Sequence, residues 1–204
     1  IFFTWLSLIL LGATALMSYS SIRKVAPLEI IKTQISSTVD QFEGMSGTKI
    51  EDSDLPPELL KEKVLVEFPS AVAILVLVFV VVNSVMFLRL NPIISHIQLG
   101  LEPSFFRKWK APELLVWPTI LLGGLMIFDL GVVSDVSLNF FKILLAIYTM
   151  QGVCILAFFF DQWKVGPFLR AAFYVLALSL AMPIVSGMGF FDLWFDFRSR
   201  LRQR

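Results

Sequence analysis

The stretch "AVAILVLVFVVVNSVMFL", residues 71–88, decides the fold class. No Asp, Glu, Lys or Arg occurs from Phe68 to Leu88, and none occurs from Ile1 to Ile22. A helix needs about 20 apolar residues to cross about 30 Å of hydrocarbon. The run is rich in β-branched residues, which favour strands in water, but an isolated strand in lipid leaves its backbone polar groups unsatisfied. We therefore predict a membrane-spanning helix.

The composition of the whole chain supports a membrane protein. Hydrophobic residues make up 57% of the 204 residues and charged residues 16%, whereas a soluble domain carries about 25% charged residues. The net charge of +1 provides no field that would attract nucleic acid. The lipid bilayer is therefore the expected partner. With one Cys and one His, the sequence indicates neither a metal site nor a cofactor.

Five apolar runs predict an all-α protein, a polytopic transmembrane helical bundle that forms a single membrane domain. The predicted spans are about residues 1–19, 68–88, 114–130, 138–160 and 168–190. A polar insert, residues 20–67, separates the first two spans, and a basic tail, residues 191–204, follows the last. Because natural chains rarely begin inside an apolar run, we expect further spans before Ile1.

The polar insert contains one amphipathic pattern. Apolar residues recur at spacings of three and four, which predicts a helix over about 27–43 that begins at Pro27 and stops at Gly44. Its apolar stripe consists of Leu28, Ile31, Ile35, Val39 and Phe42. This stripe has three alternative interpretations. It packs on the protein's own helices, docks another membrane subunit or rests on the membrane surface.

Polar residues inside the predicted spans are the candidates for a ligand site, because each is costly in hydrocarbon unless it is paired or faces a cavity. Asn83, Gln151 and Ser179 are the residues we consider for ligand binding. Interhelical hydrogen bonding is the alternative role for the two amides. Pro183 could break the fifth span and expose carbonyl groups to a substrate, as happens in transporters.

Enzyme signatures, such as a zinc-protease or nucleophile-elbow motif, do not occur in the sequence, so we do not expect an enzyme. Asp192 and Asp196 are spaced like two acids on one helical face, but they lie close to several arginines at the end of the last span. We predict that at least one of them pairs with a basic residue, Arg198 or Arg200 being the nearest in sequence.

The closing stretch "GFFDLWFDFRSRLRQR", residues 189–204, has the composition of a membrane boundary. Its aromatic residues suit the headgroup level and its arginines suit the cytoplasm. With five spans, the polar insert and the C-terminus share one side of the membrane, and that side carries more Lys and Arg. We therefore predict a cytoplasmic C-terminus.

The same stretch carries a family resemblance. The pattern Asp-x-Trp-x-Asp-Phe-Arg is matched by Asp192, Trp194, Asp196, Phe197 and Arg198. An upstream Trp-basic-x-Pro element is matched by Trp109 and Pro112. The chain thus resembles the uncharacterised bacterial multi-pass membrane proteins called YybS-like, which implies a bacterial inner-membrane location. Members of that family are distantly similar to the substrate-binding membrane subunits of energy-coupling-factor vitamin transporters.

Two functions therefore follow as hypotheses. The first is a small-molecule binding or transport subunit whose ligand lies among the spans near Asn83, Gln151 and Ser179. The second is a structural or assembly subunit of a larger membrane complex, which would use the amphipathic helix and the aromatic tail as docking surfaces.

Overall fold

The computed structural model of the chain describes residues 2–46, 57–94, 108–128 and 131–202. Within these ranges every regular element is helical, which confirms the all-α prediction. A short 3₁₀ turn at Glu113–Leu115 precedes the fourth helix. In chain order the helices are α1 (Phe2–Arg23), α2 (Pro27–Ser46), α3 (Pro57–Ile94), α4 (Val116–Leu125), α5 (Val132–Gln162), α6 (Pro167–Leu180), α7 (Met182–Phe195) and α8 (Phe197–Arg202).

Three of the described helices, α1, α3 and α5, are long and apolar enough to cross a membrane. A fourth span results if α6 and α7, which meet at an angle of 96°, are counted as one broken span. The sequence predicted five spans, and the difference arises mainly at residues 114–130. There α4 has only 10 residues and is therefore about 15 Å long, half of the hydrocarbon thickness.

The fifth predicted span, residues 168–190, is broken at Ala181 as the position of Pro183 suggested. Pro183 has no backbone N–H, and its ring would meet the carbonyl group four residues earlier, which belongs to Ser179. Ala181 donates the last backbone bond of α6, to Ala177, and accepts the first bond of α7, from Val185. The apolar run is thus long enough for one span but cannot continue as one straight helix.

The chain divides into two compact units, residues 1–82 and 83–204, and the division falls within α3. In the first unit α1 and α3 are joined by Trp5, whose indole Nε1 donates to the carbonyl of Ala73 across 2.8 Å. Asp40 on α2 forms an ion pair of 2.8 Å with Lys61 on α3. These contacts fix α2 against the beginning of α3 and α1 against its middle.

The amphipathic helix predicted at 27–43 is confirmed as α2, which begins at Pro27. Proline suits the first helical turn because the missing N–H would have had no intrahelical partner there. The corner before it is closed by Ser20, whose hydroxyl donates to the carbonyl of Val25 across 2.6 Å. Lys24 adopts a left-handed backbone conformation at this corner, with φ of 54°.

The core of the second unit is the antiparallel pair α5 and α7. A Cβ atom at Gly152 would overlap the carbonyl oxygen of Val185, and one at Gly189 would overlap that of Tyr148. The two backbones therefore lie closer than any side chain larger than hydrogen would allow at these positions. Between them the hydroxyls of Thr149 and Ser186 share a hydrogen bond of 2.5 Å.

The end of α5 is closed by Arg170 from α6. Its Nε donates to the carbonyl of Val165 across 2.7 Å, and one terminal nitrogen donates to the carbonyl of Phe160 across 3.1 Å. The guanidinium also forms an ion pair with Asp161. A cation at a helix C-terminus satisfies its last carbonyl groups and complements the helix dipole. Arg170 thus sets the turn from α5 into α6.

Candidate functional site

A buried polar cluster lies where the end of α7 and the start of α8 meet α5. We call it the C-terminal cluster, and it consists of Trp109, Ala111, Gln151, Asp192 and Arg198. The side chain of Asp192 is fully buried and that of Arg198 is 9% exposed, and they form an ion pair of 2.8 Å. The predicted pairing of Asp192 with a nearby arginine is therefore confirmed.

The carboxylate of Asp192 accepts three hydrogen bonds. Its Oδ2 accepts from Arg198 Nη2 across 2.8 Å and from Gln151 Nε2 across 3.1 Å. Its Oδ1 accepts from the backbone N–H of Phe197 across 3.0 Å. A buried charge is tolerated only when it is paired and hydrogen-bonded in this way. Both oxygens are thus engaged within the protein.

Gln151 and Arg198 also bind the segment before α4. The backbone N–H of Ala111 donates to Gln151 Oε1 across 2.9 Å, and Arg198 Nη1 donates to the carbonyl of Trp109 across 3.0 Å. Gln151 is completely buried. The C-terminal cluster therefore connects the end of the chain, the middle of α5 and residues 109–111.

Asp196 is outside this buried cluster and about half exposed. Its Oδ1 accepts a hydrogen bond of 3.0 Å from Lys110 Nζ, a partner 86 positions away in sequence. This hydrogen bond from Lys110 is the main reason that the pKa of Asp196 lies below its usual range. The sequence suggested Arg198 or Arg200 as partners because they are near, whereas the structure supplies Lys110.

The backbone at Asp196 explains how Arg198 reaches Asp192. Asp196 has φ of 39° and ψ of 62°, a left-handed conformation that ends α7. Asp tolerates this conformation better than most residues other than Gly. The reversal turns α8 back toward the cluster. Aromatic residues of the tail such as Trp194 are exposed, whereas its first acid, Asp192, and its first arginine, Arg198, are folded inward.

The three residues considered for ligand binding do not share one pocket. Gln151 is buried in the C-terminal cluster, which agrees with its alternative role as an interhelical hydrogen-bonding group. Asn83 is exposed on α3 and Ser179 is exposed on α6. Trp109 is partly buried beside the cluster, while Pro112 directly precedes the 3₁₀ turn of α4 and is exposed. Among the described residues, no three His, Cys, Asp or Glu side chains are grouped as metal ligands.

Ser179 lines a groove of about 610 Å³ beside the broken span. All residues that line the groove belong to α6, from Phe168 to Leu180, and they include the small side chains of Ala171 and Ala172. Because Pro183 blocks an intrahelical bond to the carbonyl of Ser179, a hydroxyl and a carbonyl of the same residue lie at the break. Among the residues that line the groove, Ser179 is the polar one.

The amphipathic stripe of α2 is covered in part by the chain's own helices. Ile35 is buried, and Ile31 and Ile35 line a cleft together with residues of α1 and α3. Leu28 is 59% exposed. The side chains of Val39 and Phe42 lie outside the described part of the structure. The described part of the stripe therefore agrees best with packing on the protein's own helices.

Lys110 and Ala111 are the residues that the sequence did not identify. Their partners lie 86 and 40 positions away, and no local spacing reports such a pairing. The one available signal was the position of Trp109 and Pro112 on either side of them, since both belong to the upstream element of the family resemblance.

The apolar helices, the broken span and the charged groups drawn into a buried cluster define a multi-pass helical membrane protein. Comparison with known protein families agrees with this class. The sequence model of the family described as "Predicted membrane protein (DUF2232)" matches residues 1–193, and the chain therefore belongs to this family. Searches of curated proteins and of solved structures gave no match.

Proposed function

We propose that the chain is a small-molecule binding subunit of a membrane transport system, with its ligand at the break between α6 and α7. The observation that carries this proposal is the 96° bend of a span that would otherwise be continuous. Irregular backbone at membrane depth is tolerated where it is buried in protein or lines a cavity, and broken helices of transporters bind their substrates in this way.

The two halves of the broken span differ in how firmly they are held. α7 is fixed to α5 by the close contact at Gly189 and by the C-terminal cluster. α6 contains no buried residue among its 14. α7 is thus the fixed half of the span and α6 the peripheral half, and the two meet at a break that depends on Pro183. Such an arrangement can act as a hinge that opens and closes around a ligand. The lining of the groove comes from α6, so the proposed ligand would rest on the movable half, next to the break that joins it to the fixed half, α7.

The proposed ligand is a small, largely apolar molecule with at least one polar group. The groove is formed mainly by Ala, Val, Leu and Phe side chains, with Ser179 as its polar residue. Ligand sites generally combine an apolar lining with a few polar groups that fix orientation. The proposal is of binding rather than catalysis, in line with the lack of enzyme signatures in the sequence.

Purification from bacterial membranes, followed by mass spectrometry of whatever small molecule remains bound, tests the proposal. Ser179→Phe fills the groove at the break and should abolish retention of a molecule that the wild-type chain carries. Ser7→Phe is the matched control, because Ser7 is also an exposed serine on an apolar helix, α1, which belongs to the first unit. Absence of any bound molecule from the wild type, or its retention by Ser179→Phe, would contradict the proposal.

The location forms part of the same proposal. We place the chain in the bacterial inner membrane with its C-terminus in the cytoplasm, because arginines are concentrated after α7. A reporter enzyme that is active only in the cytoplasm, fused after Arg204, should be active. An active periplasmic reporter at that position would reverse the orientation.

The assembly role receives less support from the geometry. It required the stripe of α2 to be available to another subunit, whereas Ile35 is buried within the first unit. Among the described side chains of the stripe, Leu28 is the exposed one, and it provides little apolar area for a partner, because stable interfaces bury on the order of 800 Å² on each side.

A further inference from the structure

We propose that the open cleft between α1, α2 and α3 binds one acyl chain of a bilayer phospholipid. The cleft has a volume of about 430 Å³ and lies entirely within the first unit. Its walls are apolar and come from all three helices. They include Leu16 of α1, Ile31 and Ile35 of α2, and Val64 and Phe68 of α3. The proposal is independent of the ligand proposed at the broken span.

The cleft lies at the depth where acyl chains begin. On α3 the charged residues before the apolar run end at Glu67, and the next charged residue is Arg89. Val64 and Phe68 lie on either side of that transition. On α1, Leu16 lies two turns before Arg23, the first charged residue of the chain. The membrane boundary therefore passes beside the cleft, where lipid chains are the most abundant apolar molecules.

The walls of the cleft are fixed to one another. Asp40 and Lys61 connect α2 to α3 at 2.8 Å, and Trp5 connects α1 to α3 through its bond to Ala73. Because these contacts do not involve the cleft lining, they hold the cleft open without filling it. A preformed apolar cleft binds a chain without the cost of ordering its own walls.

The lining favours an acyl chain over a charged headgroup. Thr38 lines the cleft, but its hydroxyl already donates to the carbonyl of Gln34 across 2.8 Å. The amide of Gln34 is the polar group suited to a lipid ester carbonyl at the rim. The charges near the lining residues in sequence are of both signs, because Arg23, Lys32 and Lys63 are accompanied by Glu29, Glu62 and Glu67, so they do not select an anionic headgroup. We expect selection by chain length rather than by headgroup charge.

Native mass spectrometry of the purified full chain tests this site. The chain is incubated in detergent with palmitoyl-oleoyl phosphatidylcholine, with the matching phosphatidylglycerol, or with dihexanoyl phosphatidylcholine. We expect one retained molecule of either long-chain lipid, with similar retention of the two headgroups, and no retained short-chain lipid. Preference for phosphatidylglycerol together with retention of the short-chain lipid would overturn the proposal in favour of headgroup binding.

Variants localise the bound lipid. Val64→Trp fills the cleft and should lower retention about tenfold, the size expected when two methylene groups lose their burial. Leu75→Trp places the same side chain at a site on α3 where the native residue is 69% exposed, away from the cleft, and should leave retention unchanged. Equal loss in both variants, or in neither, would overturn the proposal. If Val64→Trp fails to fold, Ile31→Phe replaces it and is compared with the same control, Leu75→Trp. Ile31→Phe should also lower lipid retention. Unchanged retention would overturn the proposal.

Discussion

Arg198 donates to the fully buried carboxylate of Asp192 across 2.8 Å, so that two opposite charges are enclosed together at the end of the last long helix. Neither charge could remain buried alone, because a buried ion without its partner is strongly destabilising. The C-terminal cluster can therefore form only if Asp192 and Arg198 are buried together.

Removing one member of this pair should be far more damaging than removing both. We expect Asp192→Ala to destabilise the protein by about 3–5 kcal/mol, since it leaves Arg198 buried without its counter-ion. The double variant Asp192→Leu with Arg198→Met should lose much less. Thermal unfolding in detergent measures both, with Asp40→Ala as the control, because it breaks an exposed pair worth about 1 kcal/mol or less. A double variant that is as unstable as Asp192→Ala would contradict the explanation.

The pair formed by Asp196 and Lys110 should make a small, pH-dependent contribution. The hydrogen bond from Lys110 lowers the pKa of Asp196 below the ordinary carboxyl value of 3.8. The folded state therefore favours the ionised form, and the stabilisation is present above the ordinary value and lost as the pH falls through the lowered one. Asp196→Asn should reduce thermal stability slightly at neutral pH, within the range of exposed pairs, about 0.2–1 kcal/mol. The difference from wild type should vanish in acid, and a difference that grows there would exclude Lys110 as the cause.

The close approach of α5 and α7 should make Gly189 intolerant of even one methyl group. A Cβ there would overlap the carbonyl oxygen of Tyr148, and overpacking of this kind costs about 1–3 kcal/mol or more. Gly187→Ala is the matched control on the same helix, because nothing lies within 4 Å of the added atom. Its effect should be neutral or stabilising, by up to about 1 kcal/mol. Comparison of the two melting temperatures checks this, and equal destabilisation would argue against the described packing.

The hydrogen bond between Thr149 and Ser186 should contribute modestly to the same interface. Bonds of this type between membrane helices average about 0.6 kcal/mol and reach about 1.7 kcal/mol. We expect Thr149→Val to fall in that range. Thr14→Val is the comparison, because the hydroxyl of Thr14 bonds only to its own helix, at the carbonyl of Leu11. A larger loss from Thr14→Val would show that local bonding, and not the interhelical bond, is responsible.

Features that depend on neighbours in sequence could be predicted. Apolar residues at spacings of three and four predicted α2 and its start at Pro27. The position of Pro183 indicated the break in the last predicted span. The ion pair of Asp192 with Arg198 joins residues only six apart, so proximity along the chain pointed to it.

Features that depend on tertiary packing could not be predicted in this way. Hydropathy reported an apolar run at 114–130 but not that α4 ends at Leu125. Gln151 was singled out as a costly amide in a span, yet its partner, the N–H of Ala111, lies 40 positions away on a segment with no distinctive periodicity. Ser179 was chosen for its polarity, whereas its position at the break follows from the ring of Pro183 four residues later.

The left-handed backbone of Asp196 determines whether the positive charge of Arg198 lies inside the protein or at its surface. In a continuous helix Arg198 would lie about 9 Å beyond Asp192 and roughly 240° around the axis, out of reach of its carboxylate. One residue with φ of 39° replaces that arrangement by a chain reversal. The guanidinium is thereby enclosed within the protein and is removed from the charges at its surface. The number of positive charges that the tail exposes consequently depends on the backbone conformation of Asp196 as well as on the number of arginines in the tail.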